Sequence, residues 1–168
     1  GNQLTKIIEL LTIDKHTRRA CISIYSKSDT NSKSLDIPCN VFLQFIIRND
    51  YLYMVVNSRS SDLITGLSID AVHWQFIYML LFNELLIKFN GTLHLGKIIY
   101  NITSLHLYET WLKDIEAWEF NGEYNHSIDI TTTYSSIISK LSLLKVPYYK
   151  MDIQSICNIF ELNDKSMS

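Results

Sequence analysis

Cys39 follows Pro38 directly and precedes the apolar run Asn40-Val41-Phe42-Leu43-Gln44-Phe45, so its thiol stands at the mouth of a strand. A thiolate attacks electrophilic carbon and leaves again, which makes it a candidate covalent catalyst. Taken alone, such a cysteine is more often a packed structural residue. Its company changes the reading. Arg59-Ser60-Ser61-Asp62 returns toward it after one hairpin, and Gly66-Leu67-Ser68-Ile69-Asp70 opens a long apolar segment. Upstream, Arg18-Arg19 close the charged connector Asp14–Arg19, and His106-Leu107-Tyr108 stands downstream. Guanidinium groups take phosphate oxygens in bidentate fashion, which suits Arg59, Arg18 and Arg19 to an anion. The plain alternative for Arg18-Arg19 is a solvated basic turn, and a His-x-Tyr pair alone says little.

Several elements must position these side chains. Gln3–Leu11 has apolar residues at helical spacing, and Ala20–Tyr25 alternates as a strand with Cys21 as a core residue. Ser26–Ser34 is polar and reads as a loop. Val41–Arg48 and Tyr51–Ser58 are expected as two strands joined by Asn49-Asp50, a two-residue turn tolerant of left-handed backbone. Both are nearly continuous in apolar residues, so both sheet faces should be covered. Ser58–Leu67 reads as a loop, with Ser68 or Asp70 capping a helix that runs to about Phe89 and stops at Asn90-Gly91. Thr92–Ile99 and Ile102–Leu107 are short strand candidates, and Tyr108–Trp118 a helix. In the tail, Thr131-Thr132-Thr133 caps an expected helix to Lys145, Pro147 breaks it, and Asp152–Leu162 forms a last helix.

The 168 residues, 47% hydrophobic with five Gly and two Pro, describe one folded domain with a sizeable core. A net charge of −2 gives no general affinity for nucleic acid or an anionic membrane. Cys21, Cys39 and Cys157 form no metal-type pair or even disulfide framework, which fits a reducing, cytoplasmic setting. His73, His94 and His126 have no Cys, Asp or Glu at ligand spacing, so no metal site is expected. The N-terminus shows no secretory n-region or cleavage site. Ala71–Phe89 is long and apolar, but Gln75, Asn83, Glu84 and Lys88 interrupt it and favour a buried core helix over a membrane span.

From about Asn2 to Tyr108 the chain resembles the thymidylate synthase family, which includes the pyrimidine-nucleotide hydroxymethylases. The family signature runs Pro-Cys-His, Gln, Arg-Ser-x-Asp, then Gly-Leu-Pro-Phe-Asn. Here Pro38-Cys39, Gln44, Arg59-Ser60-x-Asp62 and Gly66-Leu67 match it, with no gap between Cys39 and Arg59. Asn40 replaces the usual His and Asp70 the usual Asn.

The resemblance implies an α+β fold, a mixed sheet with a long buried helix packed against it. It makes Cys39 the nucleophile that adds to C6 of a pyrimidine nucleoside monophosphate. Arg59, Ser60 and Gln44 become substrate ligands, with His106 and Tyr108 on the sugar hydroxyl. Arg18 and Arg19 would reach the phosphate of a neighbouring subunit, which implies a homodimer with shared sites. Asp62 matches a folate-contacting aspartate, and the implied cofactor is 5,10-methylenetetrahydrofolate. The family's N-terminal portion, which carries another phosphate-binding arginine and a proton-managing glutamate, has no counterpart, so a partner chain is an alternative source of it.

Asp70 selects among the family's activities. An Asn offers a donor to uracil O4 and an acceptor to N3–H, whereas a carboxylate only accepts and would repel O4. Cytosine presents an amino donor at C4. The expected activity is therefore cytidylate 5-hydroxymethylation, with Asp70 both catalytic and base-binding. The plain alternative makes Asp70 a helix cap only. A second reading is a catalytically incomplete member serving as a nucleotide-binding or dimerisation subunit, and a third is thymidylate synthesis.

Overall fold

The two strands with the strongest sequence signal form the centre of the sheet. The computed structural model describes residues 3–34 and 36–117. Strands β2 (Asn40–Arg48) and β3 (Tyr51–Ser58) pair antiparallel through Asn49-Asp50, whose φ values of 51° and 65° give a primed turn that follows the strands' twist. At the turn, Lys15 donates to the Asp50 carboxylate and holds its pKa below the ordinary value. Strand β1 (Cys21–Ser23) flanks β2 antiparallel, and β5 (His94–Ile102) flanks β3 in parallel, giving a mixed sheet in the order β1-β2-β3-β5. A short parallel ladder, β4 (Ser61–Asp62) with β6 (Leu105–His106), continues from the ends of β3 and β5.

Leu43, Phe45 and Ile47 of β2 and Leu52, Met54 and Val56 of β3 line one face, each at most 1% exposed. Helix α1 (Gln3–Ile13) covers them with Ile7, Ile8 and Leu11, and helix α3 (Gly66–Lys88) with Tyr78, Leu81, Phe82 and Leu85. The spacing of the α3 set is the 3–4–7 pattern of a core-facing stripe. Away from that stripe, Ile69, Val72 and Ile87 are exposed, so α3 is buried on one side only. No helix among the described residues is long and apolar enough to cross a membrane.

One tyrosine stitches helix to sheet. Tyr78 Oη donates to Leu52 O at 2.6 Å and accepts from Gly96 N–H at 3.0 Å, where the β3–β5 register shifts between Leu52 and Met54. A Cβ at Gly96 would lie 2.2 Å from Leu52 O, so that close approach needs glycine.

Several expectations require correction. The opposite sheet face is not covered: Phe42, Ile46, Tyr53 and Val55 are only half-buried. Ser26–Ser34 is not wholly a loop, since α2 (Lys27–Thr30) forms one turn behind a Ser26–Asp29 capping box. Helix α3 begins at Gly66, so neither Ser68 nor Asp70 caps it. The two strands expected there are both present with shifted bounds: β5 runs on to Ile102, as far as β3 offers a parallel partner, and the second is only the short β6. The helix expected from Tyr108 opens as a 3₁₀ turn at Glu109–Trp111 and continues as α4 (Leu112–Ala117). The tail elements, His126 and Cys157 lie outside the described residues.

Candidate functional site

Cys39 sits one residue before β2 and is exposed, so it is not a core cysteine. Its carbonyl accepts the Arg59 backbone N–H at 2.9 Å. The Arg59 side chain clasps the same segment, donating from Nε to Pro38 O at 3.1 Å and from Nη2 to Ile37 O at 3.0 Å. Five N–H donors make up a guanidinium fork, so three remain for an anion. The segment carrying the thiol is thus held by the arginine expected beside it.

Ser60, His106 and Tyr108 also converge. The β4–β6 ladder sets Asp62 opposite His106, and Ser60 Oγ lies 3.4 Å from His106 Nδ1. The His106 and Tyr108 rings meet edge to face at 5.1 Å.

Asp62 is 8% exposed and binds the start of α3. Its Oδ2 accepts from Thr65 N at 2.6 Å, from Gly66 N at 3.2 Å, and from the Thr65 hydroxyl. Chiefly through that hydroxyl, its pKa falls from 3.8 to about 2. This carboxylate does the capping assigned in sequence to Ser68 or Asp70. Its other oxygen, Oδ1, is buried without a donor.

Asp70 lies in the second turn of α3, where its Oδ2 accepts from Asn40 Nδ2 at 2.9 Å. Asn40 Oδ1 in turn accepts from Ser58 Oγ at 2.6 Å. Tyr100 completes this corner: burial, then the nearby Asp70 charge, raises its pKa. Sequence reasoning noted Asn40 only as a departure and missed Ser58 and Tyr100. The irregular pairing at Asn40/Phe42, which turns Asn40 inward, leaves no mark in composition.

Gln44, Arg18 and Arg19 are not brought to Cys39. Gln44 Nε2 donates to Arg18 O at 3.2 Å, beside the middle of β2. At about 3.3 Å per residue, the five-residue step from Cys39 to Gln44 spans about 16 Å. Among the described residues, no group of three His, Cys, Asp or Glu side chains is placed to hold a metal ion.

A thymidylate synthase family model matches residues 1–150. The chain belongs to the thymidylate synthase family. It is 24% identical over 115 residues to the thymidylate synthase of Mycoplasma genitalium, covering 68% of this chain and 38% of that one. Against that of Listeria monocytogenes (serotype 4a, strain HCC23) it is 23% identical over 115 residues, covering 68% and 34%. The thermostable thymidylate synthase A of Bacillus subtilis has the same fold, with a TM-score of 0.62 at 16% identity over 77% of this chain and 44% of that one. The chain therefore spans less than half the length of the thymidylate synthases it matches. Two of its departures from the thymidylate synthase signature, Asn40 and Asp70, bond to each other.

Proposed function

We propose that this site belongs to a pyrimidine-nucleotide C5 one-carbon transferase whose substrate is a cytidylate, and that its product is the 5-hydroxymethyl nucleotide. The observation that carries the reading is the Asp70 carboxylate, an acceptor fixed by Asn40 at 2.9 Å in the corner near Cys39. An acceptor at that position suits the cytosine amino group and opposes uracil O4.

Cys39 Sγ adds to C6 of the base, which turns C5 into a carbon nucleophile. Asp70 holds the amino edge of the ring, while Ser60, His106 and Tyr108 serve the sugar. After C5 has lost its proton, water supplies the oxygen of the new hydroxymethyl group, and Cys39 leaves C6 as the thiolate. When bound, methylenetetrahydrofolate supplies the one-carbon unit that C5 accepts. Asp62 suits that cofactor: its buried Oδ1 lacks a donor, and a ring N–H would fill it.

The phosphate is shared between two copies in this reading. Arg59 serves its own site, and Arg18 and Arg19, which lie beside the middle of β2, serve the neighbour's. The half-buried apolar face bearing Phe42, Ile46, Tyr53 and Val55, with Ile99 44% exposed, supports a homodimer packed through the sheet. A second reading, a nucleotide-binding or dimerisation subunit without turnover, is favoured by Arg59, whose two bonded donors face the Cys39 segment. Thymidylate synthesis, the activity named in the relatives, is opposed by Asp70.

Trapping tests the chemistry. A 5-fluorinated cytidylate with methylenetetrahydrofolate should leave added mass on the Cys39 peptide, because fluorine cannot depart as a proton. The mass should be absent in Cys39→Ser. An adduct with fluorinated uridylate alone would select thymidylate-type chemistry. Binding without any adduct would select the subunit reading.

A further inference from the structure

We infer that Asn40 is a positioning residue that sets which hydrogen-bonding group residue 70 turns to the base, and so determines base specificity. This rests on the proposed reading of Asp70 as the residue that meets the base.

Strand β2 is irregular at its start. On β2, Leu43, Phe45 and Ile47 point into the core, so strict alternation would send Asn40 to the opposite face. It does not go there. Asn40 pairs with Ser58 and Phe42 with Asn57, leaving Val41 as an extra residue on β2. On the other edge, Val41 O accepts both Ile24 N–H at 2.9 Å and Tyr25 N–H at 3.0 Å. A bulge of this kind re-aims a side chain. Asn40 turns inward beside Ser58, and the two are 8% and 5% exposed.

The direction of the hydrogen bonds then follows. The Ser58 hydroxyl donates to Asn40 Oδ1 at 2.6 Å, which leaves the Asn40 amide nitrogen for residue 70. That nitrogen donates to Asp70 Oδ2 at 2.9 Å. A side chain at 70 must therefore offer Asn40 an acceptor, and it presents its other terminal atom elsewhere. For Asp70 that atom is a second acceptor. An asparagine at 70 would give its carbonyl to Asn40 and turn its NH2 to the base, the donor that uracil O4 takes. If residue 40 were instead an acceptor, the asparagine would turn round, giving its NH2 to residue 40 and its carbonyl to the base.

This yields a test that a merely structural asparagine would fail. Affinities for cytidylate and uridylate are measured by calorimetry on the full chain, as wild type, Asp70→Asn, and the exchanged pair Asn40→Asp/Asp70→Asn. The exchanged pair keeps the wild-type charge and side-chain volumes. Wild type should prefer cytidylate by about 5- to 150-fold, the range for one unpaired buried polar contact. Asp70→Asn should invert the preference toward uridylate. The exchanged pair should return it to cytidylate although residue 70 remains asparagine. If the exchanged pair keeps the uridylate preference of Asp70→Asn, Asn40 does not set the polarity, and the cytidylate reading stands. If the wild type does not discriminate, the cytidylate reading fails and takes this role with it. A second measurement addresses the pair directly. The Asn40 side-chain amide should exchange with solvent several-fold faster in Asp70→Ala than in wild type, and unchanged exchange would overturn the inference.

Discussion

Replacing Tyr78 by phenylalanine removes one oxygen and leaves the ring that fills the core. Tyr78 is 3% exposed, and that oxygen serves two backbone groups, Leu52 O at 2.6 Å and Gly96 N–H at 3.0 Å. Burial also pushes its pKa up to about 12, so the hydroxyl stays protonated and able to donate across the neutral range. In Tyr78→Phe a donor and an acceptor lose their partner where β3 and β5 change register. Each unpaired buried group costs about 1–3 kcal/mol, so the variant should lose roughly 2–4 kcal/mol after partial relaxation. Gly96→Ala strikes the same junction from the other side. Its Cβ would lie 2.2 Å from Leu52 O and 3.0 Å from Leu52 C, both backbone atoms that cannot swing aside. Overpacking costs about 1–3 kcal/mol even where side chains yield, so this loss should match or exceed that of Tyr78→Phe. Once Gly96→Ala has forced the strands apart, the Tyr78 oxygen has less to lose. The double variant should therefore fall short of the sum by more than the roughly 0.5 kcal/mol tolerance of independent sites. Urea unfolding followed by tryptophan fluorescence measures all four proteins, at an m-value that should not change. A Tyr78→Phe loss below about 0.5 kcal/mol, or strict additivity, would refute the stitch as described.

Two further outcomes follow from the site. The Asp62 pKa is lowered from 3.8 to about 2, so its stabilisation is complete above about pH 4 and is lost as pH falls toward 2. The gap in urea midpoint between wild type and Asp62→Asn should therefore narrow over that window, and a gap constant with pH would remove the carboxylate as an ionised cap. For the shared site, mixing an Arg18→Ala/Arg19→Ala chain with a Cys39→Ser chain should restore nucleotide trapping through hybrid sites. A mixture as inactive as its parents, while sedimentation shows subunit exchange, would reject the shared phosphate.

The sequence was most legible where local chemistry and function coincide. Asn49-Asp50 fixed the hairpin because two residues tolerant of left-handed backbone between apolar runs have few alternatives. The spacing from Cys39 to Arg59 anticipated that these two segments lie together at the start of β2 and the end of β3. The start of α3 was less legible, since its cap is neither Ser68 nor Asp70 but Asp62, on a strand that only the β4–β6 ladder defines. Strand β5 runs past its expected end at Ile99 through the polar Asn101, which donates to Asn57 across the sheet at 3.2 Å. The bulge at Val41 was invisible for a related reason. It arises from a two-against-one count between strands, and no single strand encodes it.

These placements make Asp62 and Asp70 parts of one construction. Asp62 Oδ2 ties the first turn of α3 to β4, and a Cβ at Gly66 would already stand 3.3 Å from Ser61 Oγ and 3.5 Å from Asp62 Cβ. The helix therefore begins close against the ladder that carries His106. Asp70 follows in the second turn, and its position along the sheet is inherited from that anchor. Asn40 meets it from the other side, brought inward by the bulge. From the Asp62 anchor at Gly66 to Asp70 the helix makes only about one turn, and the Asn40 hydrogen bond then fixes the carboxylate.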